Sequence, residues 1–436
     1  MTKTAPTRIA TVHARRVWDS RGRPTVEAEV ATEGGAFGRA IAPAGASRGA
    51  NEAIDLRDGG KRFGGWDVTH AVKAVNGAIA GALTGADVSD QAAIDRALID
   101  LDGTANKSNL GGNATVAVSM ACLHAAAAAA GMPLWQYLWA GETRTRTGTP
   151  TLPLPEIQIF GGGAHAERRV DVQDFMVIAT GADDYEQALA WTAEVYLAAG
   201  RIMADQGLLQ GVADEGGFWP AFDTNEQAVE TLVRAIEGAG LTPGDQVSIS
   251  LDIAASEFGS GGKYRLARDG SELDSNALAD MLLGWVLRYP IVSIEDPMGE
   301  DDPEGFIAFG KRAPETLQIV GDDLLVTNAE RVCAAHRDGV VNTALIKPNQ
   351  AGTMTETKAA FDAARTNGMG VIVSARSGET EDATIVHLAV GWNSLQLKVG
   401  SFARSERMVK WNEGLRIGDA IGTFALPPKS VFPWGR

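Results

Sequence analysis

The sequence predicts an α/β protein whose larger part is a barrel of parallel strands, and three observations carry that expectation. Short apolar runs recur with helix-length spacers between them, at Val247–Leu251, Ile291–Ile294, Leu317–Gly321, Thr343–Ile346, Val371–Val373 and Leu395–Leu397. Runs that are oily on both faces suit strands buried between a core and a covering layer of helices. Each run then stops at a polar or charged residue: Asp252, Glu295, Asp322, Lys347, the Ser374-Ala375-Arg376 stretch and Lys398. The carboxyl ends of the strands are where such a barrel gathers its working groups. Finally, 436 residues are enough for two domains, one of barrel size.

In chain order, residues 7 to 43 read as a β-meander, with strands over Ile9–Val17, Thr25–Val30 and Phe37–Ala42 and turns at Asp19-Ser-Arg-Gly22 and Glu33-Gly-Gly35. The small residues of Pro43-Ala-Gly-Ala-Ser47-Arg48-Gly49 suit a mobile loop able to close over a ligand, or else a plain connector. Residues 66 to 140 read as helices, the most regular being Ala114–Ala130, with His124 on its face. This gives an N-terminal domain over 1–140, and residues 139–150, rich in Thr, Gly and Arg, read as the linker to a second domain over 141–436. The second domain opens with apolar segments at Leu152–Phe160 and Val170–Ile178, joined through Gly161-Gly-Gly-Ala-His165-Ala-Glu167-Arg168-Arg169. Two such segments with a short join predict a hairpin, so the barrel should not begin with a plain strand-helix unit. A helix over about 184–206 and the acidic turn Asp214-Glu215-Gly-Gly-Phe218 follow.

Composition narrows the partners. With 45% hydrophobic and 22% charged residues the chain is ordinary for a globular protein, and a net charge of -16 argues against nucleic acid or an anionic membrane as partner. No apolar run is long enough to span a bilayer, and the opening residues lack the core of a secretion signal, so a cytoplasmic location is expected. Cys122 and Cys333 have no metal-ligand spacing, and both are expected to be small core residues.

Asp252, Glu295 and Asp322 on successive strand ends would place three carboxylates at one barrel mouth. Their repulsion calls for a cation, and an all-oxygen donor set fits Mg²⁺ or Mn²⁺ better than Zn²⁺. Lys347 and Lys398 beside that cation would have their neutral forms favoured, so one could remove a proton alpha to a metal-bound carboxylate. The plainer alternative is that both lysines only pair with the acids.

An ordered set of motifs resembles the enolase family. It comprises Asp19-Ser-Arg-Gly-Arg-Pro-Thr25, Gly45-Ala-Ser47, Asp102-Gly-Thr-Ala-Asn-Lys107, Gly163-Ala-His165-Ala, Asp214-Glu-Gly-Gly-Phe218, Ser293-Ile-Glu-Asp296, Gly321-Asp-Asp-Leu324, Leu345-Ile-Lys-Pro-Asn-Gln350, Arg376-Ser-Gly-Glu-Thr-Glu-Asp382 and Arg404-Ser-Glu-Arg407, and it covers nearly the whole chain. The resemblance implies a small α+β capping domain on a modified (β/α)₈ barrel of the TIM type, as a homodimer or larger homo-oligomer, acting on a small substrate with phosphoryl and carboxylate groups. It implies two Mg²⁺ per site, one held by Asp252, Glu295 and Asp322 and the second by Ser47 with the substrate. It further implies Lys347 as the base at C2, Glu215 assisting departure of the C3 hydroxyl, Lys398 on the carboxylate, Arg376 and Ser377 on the phosphoryl group, and His165 and Gln173 lining the site.

The departures from the family pattern are expected to cluster at one pocket. Ala375 stands where enolases have a histidine, Asp174 where they have a glutamate, Gly161 for an asparagine and Arg48 for a threonine, and Arg168 and Arg169 stand where bacterial members tend to have asparagines. Room at Ala375 together with added arginines would suit a 2-phosphoglycerate-like substrate with an extra anionic group near the phosphorus. The specialised relatives that this pattern resembles are the carboxyphosphonoenolpyruvate synthases of phosphinothricin-type pathways. Ordinary dehydration of 2-phosphoglycerate, and a non-catalytic enolase-like binding protein, are the alternatives.

Overall fold

The computed structural model describes residues 6–142 and 148–435. Of the linker expected at 139–150, residues 143–147 lie outside the described residues. The chain opens as the predicted meander, β1 (Ile9–Trp18), β2 (Pro24–Thr32) and β3 (Phe37–Ile41), paired antiparallel in that order. The first turn is tight because Asp19 Oδ1 accepts from the backbone N–H groups of both Arg21 and Arg23, while Gly22 takes a φ of 70°. The α-helices that follow among the described residues are α1 (Thr69–Ala74), α2 (Ala80–Leu83), α3 (Gln91–Asp102), α4 (Gly112–Ala129) and α5 (Leu134–Glu142).

The apolar α4 is the spine of this part and lies on β2 and β3. A side chain at Gly38 would sit 2.0 Å from the Ala121 carbonyl, so glycine on β3 is what lets the helix backbone come that close. Among the described residues α4 alone is a helix long and apolar enough to cross a bilayer, and 83% of it is buried inside the fold.

The second part is a closed eight-stranded barrel. Its strands are β4 (Leu154–Gly161), β5 (Asp174–Ile178), β6 (Ser248–Asp252), β10 (Ile291–Glu295), β11 (Gln318–Gly321), β12 (Thr343–Ile346), β13 (Gly370–Ser374) and β14 (Gln396–Ser401). Between β6 and β10 the chain makes a small antiparallel sheet, β7 (Gly259–Ser260), β8 (Lys263–Leu266) and β9 (Ser271–Asp274). The expected hairpin is present: β5 runs antiparallel to both β4 and β6, and the remaining barrel pairs are parallel. The last strand, β14, closes the barrel on the first, β4.

Helices α6 (Tyr185–Asp205), α7 (Asn225–Gly238), α8 (Ser275–Arg288), α9 (Pro303–Arg312), α10 (Ala329–Arg337), α11 (Pro348–Ala351), α12 (Met354–Thr366), α13 (Thr384–Gly391) and α14 (Ser405–Ile421) connect and cover the strands. Most have a side-chain N-cap, from Asp184, Thr224, Asp274, Asp302, Asn328 and Thr353. Inside the barrel, Val320, Leu345 and Ile372 form an apolar cluster of their own. Other buried positions are polar: Ser250 donates to Glu156, and Gln318 Nε2 donates to Gln396 Oε1 at 2.7 Å. One expectation fails for the cysteines. Cys122 is buried in α4, but Cys333 is exposed, because the outer face of α10 carries it away from the core.

Candidate active site

Strand pairing brings the charged strand ends together. Asp252 and Glu295 are direct partners across β6 and β10, and Asp174 at the start of β5 pairs with Asp252 from the other side. Lys398 on β14 points into this group, its Nζ 2.8 Å from Glu295 Oε2, 3.1 Å from Asp252 Oδ2 and 3.6 Å from Asp174 Oδ2. Lys347, just past β12, donates to Asp322 Oδ2. All five of Asp252, Glu295, Asp322, Lys347 and Lys398 are buried. The strand ends read from the sequence therefore meet at one mouth of the barrel.

Burial and crowding shape the charges. Burial, then the neighbouring Asp252, pushes the Glu295 carboxyl well above the usual range, and Glu295 Oε1 has no protein partner. Burial alone would lower the Lys347 pKa, but the Asp322 carboxylate outweighs it and keeps it above the ordinary lysine value. Asp322 is held low in turn: burial opposes its charge, and Lys347 and Arg376 prevail. Lys398 likewise is raised, with Asp252 and Glu295 overcoming burial. Three buried carboxylates with an orphaned oxygen, all hard donors, suit a divalent cation such as Mg²⁺.

A second carboxylate cluster escaped the sequence reading. One oxygen each of Asp296, Asp322 and Asp323 lie within 4.8 Å of one another, a spacing that could hold a metal ion. Asp296 turns its backbone into the left-handed region, φ 41°, and its carboxylate accepts from the N–H groups of Asp322 at 3.0 Å and Asp323 at 2.7 Å. Its place in the quoted Ser293-Ile-Glu-Asp motif was the available signal, since a carboxylate next to a strand-end carboxylate has no simple surface role.

Across the mouth, His165 lies on the loop between β4 and β5. Its Nδ1 is 2.8 Å from Asp174 Oδ1, and its Nε2 is 3.1 Å from Ser377 Oγ and 3.6 Å from Glu215 Oε1. Burial works against the charged imidazole, but Asp174 and Glu215 overcome it and lift the pKa to about 9. Asp174 also accepts from Gln158 Nε2, and Gln173 Nε2 donates to Asp252 Oδ2 at 3.1 Å. The short Asp174 side chain thus reaches the histidine directly.

Ser47, His165, Gln173, Asp174, Glu215, Asp252, Lys347, Ala375, Arg376, Ser377 and Lys398 share one cavity. Its free volume is only about 10 Å³, space for about one water. In this conformation the cavity is nearly filled, with Ala375 in its lining. The added arginines do not face the cavity either. Arg48 is exposed and pairs with Asp55 at 2.7 Å, and Arg168 is exposed and pairs with Glu257 at 2.9 Å. Arg169 is half-buried and stands outside the lining residues. Loop side chains lack a strand's alternation to fix their direction, so sequence position alone misplaced these three.

Arg376 does reach the site, and it is heavily engaged. Its Nη1 donates to Glu52 Oε2 at 3.0 Å and Asn349 Oδ1 at 3.1 Å, and its Nη2 to the Ser47 carbonyl at 2.8 Å and Glu52 Oε1 at 3.2 Å. Glu52, Asn349, Gln350 and Thr327 are contributors that sequence reasoning missed; Asn349 and Gln350 were quoted within a motif but given no role.

Comparison with known families agrees with this geometry. Residues 9–138 match the family model described as Enolase, N-terminal domain, and residues 149–427 match the one described as Enolase, C-terminal TIM barrel domain. A capping sheet with helices, an eight-stranded barrel and carboxylates facing lysines at the strand ends are what those two matches lead one to look for, and the chain accordingly belongs to the enolase family as an enolase-superfamily lyase.

Proposed function

We propose that this lyase removes water from a 2-phosphoglycerate-like acid to give an enolpyruvate product, with Mg²⁺ as its metal and two ions per site. The observation that carries the reading is the Lys347 amine on Asp322 with Lys398 set between Asp252 and Glu295, all buried at one barrel mouth. Lys398 holds the substrate carboxylate. Lys347 takes the C2 proton, and the C3 hydroxyl leaves as water with Glu215 supplying its proton. Arg376, Ser377 and His165 hold the phosphoryl end, the charged imidazole matching its anion. Asp252, Glu295 and Asp322 would hold one ion and Ser47 would contribute to the second. When bound, the metal supplies charge stabilisation for the carboxylate dianion formed at C1. The assembly is a homodimer or larger homo-oligomer.

The finer reading is a carboxyphosphonoenolpyruvate synthase-like enzyme of phosphonate natural-product biosynthesis, whose substrate carries a carboxylate on phosphorus. Ala375 and Asp174, both in the cavity lining, support it, because each is smaller than its family counterpart. The outward course of Arg48 and Arg168 favours the second reading, ordinary enolase acting on 2-phosphoglycerate. Parallel assays separate them: the specialised reading expects turnover of the phosphorus-carboxylated substrate and at least about 100-fold poorer turnover of 2-phosphoglycerate. Full enolase activity on 2-phosphoglycerate overturns it.

A further inference from the structure

A strained turn behind the site has no part in the chemistry above. Val326 and Thr327 follow β11 with φ of 44° and 52°, two successive β-branched residues in the left-handed region. Such conformations are disfavoured for branched side chains and persist only where the surroundings hold them.

Both residues have work to explain the strain. The Thr327 hydroxyl accepts from the backbone N–H of Lys347 at 2.9 Å and donates to Gln350 Oε1 at 2.6 Å. Gln350 Nε2 then donates to Asp322 Oδ1 at 2.9 Å and to Glu52 Oε1 at 3.1 Å. Glu52 also accepts from Gly49 N–H at 3.2 Å and holds Arg376. Val326 faces the same loop, since a Cβ on Gly49 would come within 2.6 Å of Val326 Cγ1. Glu52, Thr327 and Gln350 are all buried.

We propose that the Val326-Thr327 turn and Gln350 form a seat that ties the position of the Ser47 loop to the pose of Asp322 and Lys347, with Thr327 and Gln350 as positioning residues. The inference rests on the roles assigned above to Ser47, Asp322 and Lys347. Gln350 is the joint: one amide touches the strand end, the loop carboxylate and the strained hydroxyl, so none can shift without breaking a buried hydrogen bond. Only a side chain with both donor and acceptor ends can do this, and that sets amide apart from carboxylate at position 350.

The test reads loop seating without any reaction. Arg48 is exposed on the loop, so trypsin cleavage of the Arg48–Gly49 bond, followed by fragment mass, reports how often the loop leaves its seat. In the full-length protein without substrate, Thr327→Val and Gln350→Leu should raise that cleavage rate at least about tenfold, and Thr327→Ser should stay within about twofold of the parent chain. Gly49→Ala, which removes no hydrogen-bonding group and crowds Val326, should raise it as well and serves if the other variants fold poorly. In turnover, Thr327→Val should lower kcat about tenfold with less effect on KM, and the serine variant should restore it. Cleavage within about twofold of the parent chain for Thr327→Val, Gln350→Leu and Gly49→Ala overturns the proposal, as does a serine variant as impaired as the valine one. An inactive parent chain would count against the reaction assigned to the site, while the cleavage pattern still decides the role of the seat.

Discussion

Lys347 shows how much one residue's role depends on its neighbour. With Asp322 beside it the ammonium is favoured, so its use as a base requires the Asp322 charge to be engaged elsewhere, which is what a bound divalent cation would do. Replacing Lys347 with alanine should abolish exchange of the substrate C2 proton with solvent, a loss of about 1,000-fold or more, measured by deuterium incorporation. Retained exchange would remove Lys347 from the role of base. Ala375 is the other informative position. Ala375→His should impair turnover of a phosphorus-carboxylated substrate and improve that of 2-phosphoglycerate, because residue 375 lines the cavity and the variant puts back the larger side chain that enolases have there. Unchanged kinetics with both would detach residue 375 from specificity.

At the scale of elements, the strands were legible because their physics is periodic. Buried parallel strands read as apolar runs, and the sequence alone places the charged residue ending each run at the mouth. Even the reversed β5 was foreseen, from two apolar segments too close together to enclose a helix. What stayed hidden lies off the strands: the directions of Arg48, Arg168 and Arg169, the Asp296 turn, and the Thr327–Gln350–Glu52 connections. These depend on contacts between segments far apart in sequence, and no local pattern records them. The exposed Cys333 was misread for a related reason, since an alanine-rich helix has small residues on both faces. Helix α12 offers a local test. Thr353 Oγ1 accepts from Glu356 N–H at 3.3 Å, as an N-cap side chain does, and donates to Glu356 Oε2 at 2.7 Å. Thr353→Ala should cost about 1 kcal/mol in urea unfolding, and no loss would mean that tertiary contacts alone hold that end.

At the scale of the whole molecule, two histidines meet where the N-terminal helices touch the barrel. His124 of α4 is 2.8 Å from Thr384 Oγ1 and packs edge-on against His387 of α13. Burial, with the His124 ring as a further cause, lowers the His387 pKa to about 4 against the pull of Glu413. The unfolded chain therefore binds a proton at this residue between about pH 6.5 and 4 that the folded chain does not. The contribution of His387 to stability should be complete above pH 6.5 and fall by about 3 kcal/mol as the pH drops to 4. Urea midpoints over that range should show the decline and His387→Gln should flatten it; a parallel slope in the variant would assign the effect to other groups.

The closing pair of the barrel also governs how the chain comes into being. Because β14 pairs with β4, a nascent polypeptide on the ribosome must hold β4 ready for a partner that is synthesised only as residues 396–401 emerge. Until then the growing sheet has two raw margins that invite other chains. Truncation just before residue 396 should consequently yield insoluble protein in expression, whereas the full chain should remain dispersed.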